Sequence, residues 1–78
     1  MNKERRKKIQ EAENLLVRAS EIITECLEEE NEAYDNLPES IQLGERGDEM
    51  TEYIDLMSEA IEDLDTVCTD LKRITEEE

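Results

Sequence analysis

Two groups of carboxylates in this 78-residue chain have a spacing that could do chemistry. Glu28, Glu29 and Glu32 fall within little more than one helical turn, and Glu52 and Asp55 stand three apart. Acids gathered in this way are oxygen donors for Mg²⁺, which prefers carboxylates, waters and phosphate oxygens. Other chemistries have fewer of their parts. Without a histidine, no Cys–His or Ser–His pair can activate a nucleophile, and the Glu-x-x-His pairs of di-iron bundles are missing. Cys26 and Cys68 stand in apolar surroundings, away from any basic cluster that would activate a thiol, and two cysteines make neither a zinc pattern nor a disulfide framework. Glycine-rich phosphate loops are absent. No catalytic, cofactor-binding or metal site is therefore expected.

The elements that must position these residues are helices. Charged residues make up 42% of the chain and apolar ones 36%, a balance that suggests disorder unless it is patterned. It is patterned. The first helix is expected over about 3–36, with a seam at Ile9, Ala12, Leu16, Ala19, Ile23, Cys26, Ala33 and Leu37 in alternating steps of three and four. Leu15, Ile22, Leu27 and Tyr34 widen this stripe, and Glu30 interrupts it. The second helix is expected over about 48–75, with a seam at Met50, Tyr53, Met57, Ala60, Leu64, Val67, Leu71 and Ile74, flanked by Ile54, Ile61 and Cys68.

A connector over 37–47 joins them. Pro38 ends the first helix and starts a short helical turn, from which Ile41 and Leu43 fold back as a plug. Gly44 and Gly47 supply the freedom to reverse direction, and Asp48 caps the second helix. The fold class expected is all-α: an antiparallel two-helix, coiled-coil-like hairpin forming a single domain. Residue i should lie opposite about 84 − i, which places Lys3–Lys8 beside Asp70 and Glu76–Glu78. The same register holds Cys26 and Cys68 about 15 Å apart, too far for a bridge, as two small core residues. Stripes this wide exceed what one hairpin buries. A homodimer is expected, two hairpins forming a four-helix bundle around Leu16, Ile23, Met57, Ile61, Leu64 and Leu71.

Net charge is −15, and it is uneven: residues 1–8 carry +4 and the rest −19. So acidic a body disfavours direct nucleic-acid binding and attracts basic partners. The chain has neither an apolar run of membrane-spanning length nor a signal-peptide core, so a cytoplasmic location away from membranes is expected. Glu21, Glu25, Glu28, Glu32 and Asp35 follow one face of the first helix. Asp48, Glu52, Asp55, Glu59, Glu62 or Asp63, and Asp70 do nearly the same on the second. Rows of carboxylates on a rod resemble the phosphate track of a duplex and could occupy a basic groove, a DNA mimic; the plainer reading is a solvated face.

Two resemblances bear on function. Glu28-Glu29-x-x-Glu32 with Glu52-x-x-Asp55 is similar to the carboxylate pattern of MazG-type helical nucleotide pyrophosphohydrolases, although these residues fall at outer positions of the heptads. The connector, Glu32-Ala33-Tyr34-Asp35-Asn36-Leu37-Pro38-Glu39-Ser40-Ile41-Gln42 followed by Gly44-Glu45-Arg46-Gly47-Asp48, resembles one found in small acidic helical-hairpin proteins of phages and prophages. That family has no assigned activity, so no functional residue is carried over. The resemblance implies an accessory or anti-defence protein that binds a basic host protein in the host cytoplasm. Candidate partner-binding residues are Glu25, Glu28, Glu32, Asp35, Glu52 and Asp55 on the helix faces. At the connector tip they are Tyr34 and Arg46, anchors of the kind interfaces favour. The alternatives are a self-associating scaffold and a Mg²⁺-dependent hydrolase.

Overall fold

The computed structural model describes residues 1–76, and three helices account for nearly all of them: α1 Lys3–Asp35, α2 Glu39–Gln42 and α3 Glu45–Glu76. The molecule is all-α and elongated, 58 × 14 × 13 Å, with α1 packed along α3. Asn2 caps α1, its side-chain oxygen accepting the Arg5 N–H at 2.8 Å. Pro38, in extended backbone, closes α1 and opens α2.

α3 begins three residues earlier than the sequence suggests. The Asp48 N–H donates to the Gly44 carbonyl at 3.0 Å, so Gly44 holds the capping position expected of Asp48. Neither glycine works through backbone freedom, because no described residue has a positive φ. Gly47 is buried inside α3, where a Cβ would overlap the Gln42 carbonyl and lie 2.7 Å from the Gln42 Cα. Its missing side chain is what lets α2 lie against α3. Gln42 completes the joint by donating from Nε2 to the Tyr34 carbonyl at 2.7 Å, near the end of α1. Leu43 does not plug this end: it is 76% exposed, and Ile41 is exposed beside it.

The long helices run in opposite directions. The Thr75 hydroxyl donates to Glu13 Oε1 at 2.8 Å, and Ser20 and Thr24 share a groove with Cys68 and Leu64. Residue i of α1 thus lies opposite about 88 − i, four residues (about 6 Å) from the expected register. The early start of α3 is the reason: its first turns are covered by α2 rather than by α1. Asp70 comes level with Arg18, and Glu76 level with Ala12. Lys3–Lys8 extends past both, and its expected pairing with Glu77 and Glu78 falls outside the described residues.

Both helices are also turned about their axes relative to the expected seams. Leu16, Ile23, Met57, Ile61, Leu64 and Leu71 are half-buried between the helices. Alongside them, however, lie Glu13, Ser20, Leu27 and Tyr34 from α1, and Ile54 and Cys68 from α3, each one residue beyond the expected Ala12, Ala19, Cys26, Ala33, Tyr53 and Val67. Cys26, Ala33, Tyr53 and Val67 are exposed, so only Cys68 is a core thiol. The turn exchanges small side chains for Leu27 and Tyr34, which gain more from leaving water. It also brings Glu13 to 8% exposure. Among the described residues no side chain is fully buried.

Candidate functional surfaces

The expected carboxylates are all exposed, but the helices hold them apart. Glu21, Glu25, Glu28, Glu32 and Asp35 point away from α3 along the outer edge of α1. Asp48, Glu52, Asp55, Glu59 and Glu62 point away from α1 along the outer edge of α3. Glu28, Glu29 and Glu32 therefore do not converge with Glu52 and Asp55. Among the described residues no group of three or more His, Cys, Asp or Glu side chains is placed to hold a metal ion. The ion pair among the described residues joins Arg18 to Glu21 at 3.3 Å, on the surface of α1. The carboxylates thus form two separate acidic edges, each a rigid row with little internal neutralisation.

At the connector, Tyr34 and Arg46 play unequal parts. Tyr34 is half-buried and serves the joint through its carbonyl, whereas Arg46 is exposed and lines a shallow groove with Glu30, Glu49, Met50 and Tyr53. Asp35 is exposed. Leu43, expected inside the plug and not among the candidate binding residues, instead exposes its side chain at the tip near Arg46. A leucine just before a helix cap reads equally well as a plug or a protrusion, so the sequence held no signal for it.

A third surface comes from the turning of the helices. The positions excluded from the inner seam form a second stripe on each helix, in steps of three and four interrupted by Glu29 on α1 and by Asp63 and Asp70 on α3. On α1 it runs through Ala12, Leu15, Ala19, Ile22, Cys26 and Ala33; on α3, through Tyr53, Leu56, Ala60, Val67 and Ile74. Both stripes open on the same side, since Cys26 and Ala33 share a groove with Tyr53 and Leu56. Leu15 is 66% and Leu56 53% exposed there, with Ile22, Tyr53 and Val67 exposed beside them. The opposite side has a groove of its own in which Val17, Leu64 and Cys68 are mixed with Glu21, Thr24, Asp65 and Lys72. The Tyr53 hydroxyl donates to Glu49 Oε1 at 3.0 Å at the edge of the apolar side. That hydrogen bond, followed by the negative charge of Glu49, pushes the phenol above its usual pKa.

No helix among the described residues is long and apolar enough to cross a membrane. Comparison with known protein families, with curated proteins and with solved structures returns no match to this chain.

Proposed function

We propose that this chain is a binding module rather than a catalyst. In this reading the antiparallel hairpin joins a second copy through its open apolar side, and the outer edges offer carboxylates to a basic protein. The observation that carries it is the division of the surface. One side is apolar and uncovered, and the two edges bear exposed acid rows with Arg18–Glu21 as their described ion pair. Contiguous apolar patches of this kind mark interaction surfaces, and an acidic rod attracts basic grooves through long-range steering. The resemblance of the connector to small phage proteins makes a host protein the natural target, in an accessory or anti-defence role within the host cytoplasm. The exposed pair Leu43 and Arg46 supports the tip as the place where such a target is recognised.

A self-associating scaffold is the second reading, and the same open apolar side favours it. A Mg²⁺-dependent hydrolase draws no support from residues that project from opposite edges of the molecule. The test is capture from bacterial lysate with tagged protein, washed at low and high salt. One variant carries Glu25, Glu28, Glu32 and Asp35 changed to Lys; another carries Leu43 and Arg46 changed to Ala. One basic protein, lost with salt and with charge reversal, is the expected result. Loss in the tip variant alone moves the site to the connector. Recovery of the bait alone in every lane refutes the host-binding reading and leaves the scaffold.

A further inference from the structure

We infer that the open apolar side is occupied by a second copy of the same chain lying head to tail across it, with α1 on α1 and α3 on α3. This rests on the self-association proposed above and adds its geometry. Three features of the molecule specify it.

The first is the shape of the patch. The α1 stripe is centred between Ile22 and Ile23 and the α3 stripe between Asp63 and Leu64. At the observed register these two centres differ in level by two residues, about 3 Å. Stripes centred together can overlay their own copies about a single two-fold axis, as an isologous interface requires. The second feature is size. The stripes Ala12–Ala33 and Tyr53–Ile74 each run about 32 Å, and across the 14 Å width of the molecule they outline roughly 450 Å², the size of the apolar patches that mark interaction sites on small proteins.

The third feature is charge, and it selects the direction. Two orientations cover the patch: α1 on α1 with the copy reversed, or α1 on α3 with the copy unreversed. In the unreversed stack Glu29 comes level with Glu59 of the second copy, and the two basic segments Lys3–Lys8 meet at one end. In the reversed stack, residue i of α1 lies level with about 47 − i of the other α1. Arg18 then meets Glu29 of the second copy, twice by symmetry, along the same rim of the patch. Arg6 comes level with Gly47 of the second copy, the point on α3 against which α2 of that copy packs. Lys3–Lys8 has no described acid level with it on its own α3, and the reversed stack gives it the acidic connector of the other chain. Such rim charges set register and direction more than affinity. Because each copy carries −15, added salt strengthens this association, the opposite of its effect on a basic partner.

The experiment pairs sedimentation equilibrium with a dipolar distance between spin labels. The label sits at an exposed site outside the patch, Lys7→Cys, in a Cys26→Ser, Cys68→Ala background. A dimer mass with a distance of about 50 Å, from thirty-three residues of helical rise, is the expected result. A dimer with a distance under about 30 Å overturns the reversed arrangement while sparing self-association. A monomer mass at all salt concentrations overturns both. The double variant Leu15→Glu, Leu56→Glu is expected to sediment as a monomer, and a persistent dimer would show that the chain associates through another surface.

Discussion

Changing Gly47 to Ala should destabilise the protein even though the substitution improves a helix. Inside α3, alanine is favoured over glycine by about 1 kcal/mol. Against that stands the Gln42 backbone, which approaches closer to the new Cβ than the 3.4–4 Å of ordinary contact and is not the movable end of a side chain. Overpacking against backbone costs roughly 1–3 kcal/mol. Pushing α2 away also loses the Gln42–Tyr34 hydrogen bond, worth about 1 kcal/mol. The net expectation is a loss of about 1–3 kcal/mol, which for a domain of this length lowers Tm by about 5–20 °C. Gly44→Ala is the control. Its Cβ would meet only carbonyl oxygens at 3.6 Å, and a weaker cap offsets a stiffer unfolded chain, leaving it within about 0.5 kcal/mol of wild type. Thermal unfolding followed by circular dichroism, at one fixed protein concentration, measures both. A Gly47→Ala protein as stable as wild type, or more so, would refute the close approach of α2 to α3.

Three further outcomes follow from the packing. Glu13→Leu should raise stability by about 1–2 kcal/mol in the same assay, because it replaces an inward carboxylate held by one neutral hydroxyl, while Thr75 keeps the Lys72 carbonyl as acceptor at 3.3 Å. Leu27→Ala should cost about 1–2 kcal/mol as a half-buried seam residue, whereas Cys26→Ala, one position earlier, should stay within about 0.5 kcal/mol; reversed costs would restore the seam read from the sequence. Spectrophotometric titration should find Tyr53 ionising above the usual value of about 10, and Glu49→Gln should lower it. Since the folded value is raised, the Tyr53–Glu49 contribution is present below the unfolded value and lost as pH rises through the folded one.

The helical pattern and the chain reversal were legible because periodicity in threes and fours and a lone proline are local signals. Which edge of each stripe turns inward was not. Ala12, Ala19 and Cys26 continue the Ile9–Leu16–Ile23 diagonal and look like core, while Glu13 and Ser20 look like surface. The choice depends on the volume of Leu27 and Tyr34 and on what α3 offers opposite them, which no single helix displays. The register failed for a related reason. Gly47 announced a glycine requirement, but φ freedom and close backbone approach read alike in sequence, and only the second lets α3 start at Glu45 and slide four residues along α1. The acidic rows were legible as rows, since exposure follows directly from helical spacing. Their divergence onto opposite edges is a property of the pair.

A chain in which no described side chain is fully buried has almost no inside of its own. Under the self-association proposed above, its folded fraction would follow mass action, rising with the amount of the second copy that covers the open side. Proteases that sample the opened state would clear scarce copies quickly and spare abundant ones. Abundance would thereby become a threshold: below it the product is turned over as it is made, above it the product persists.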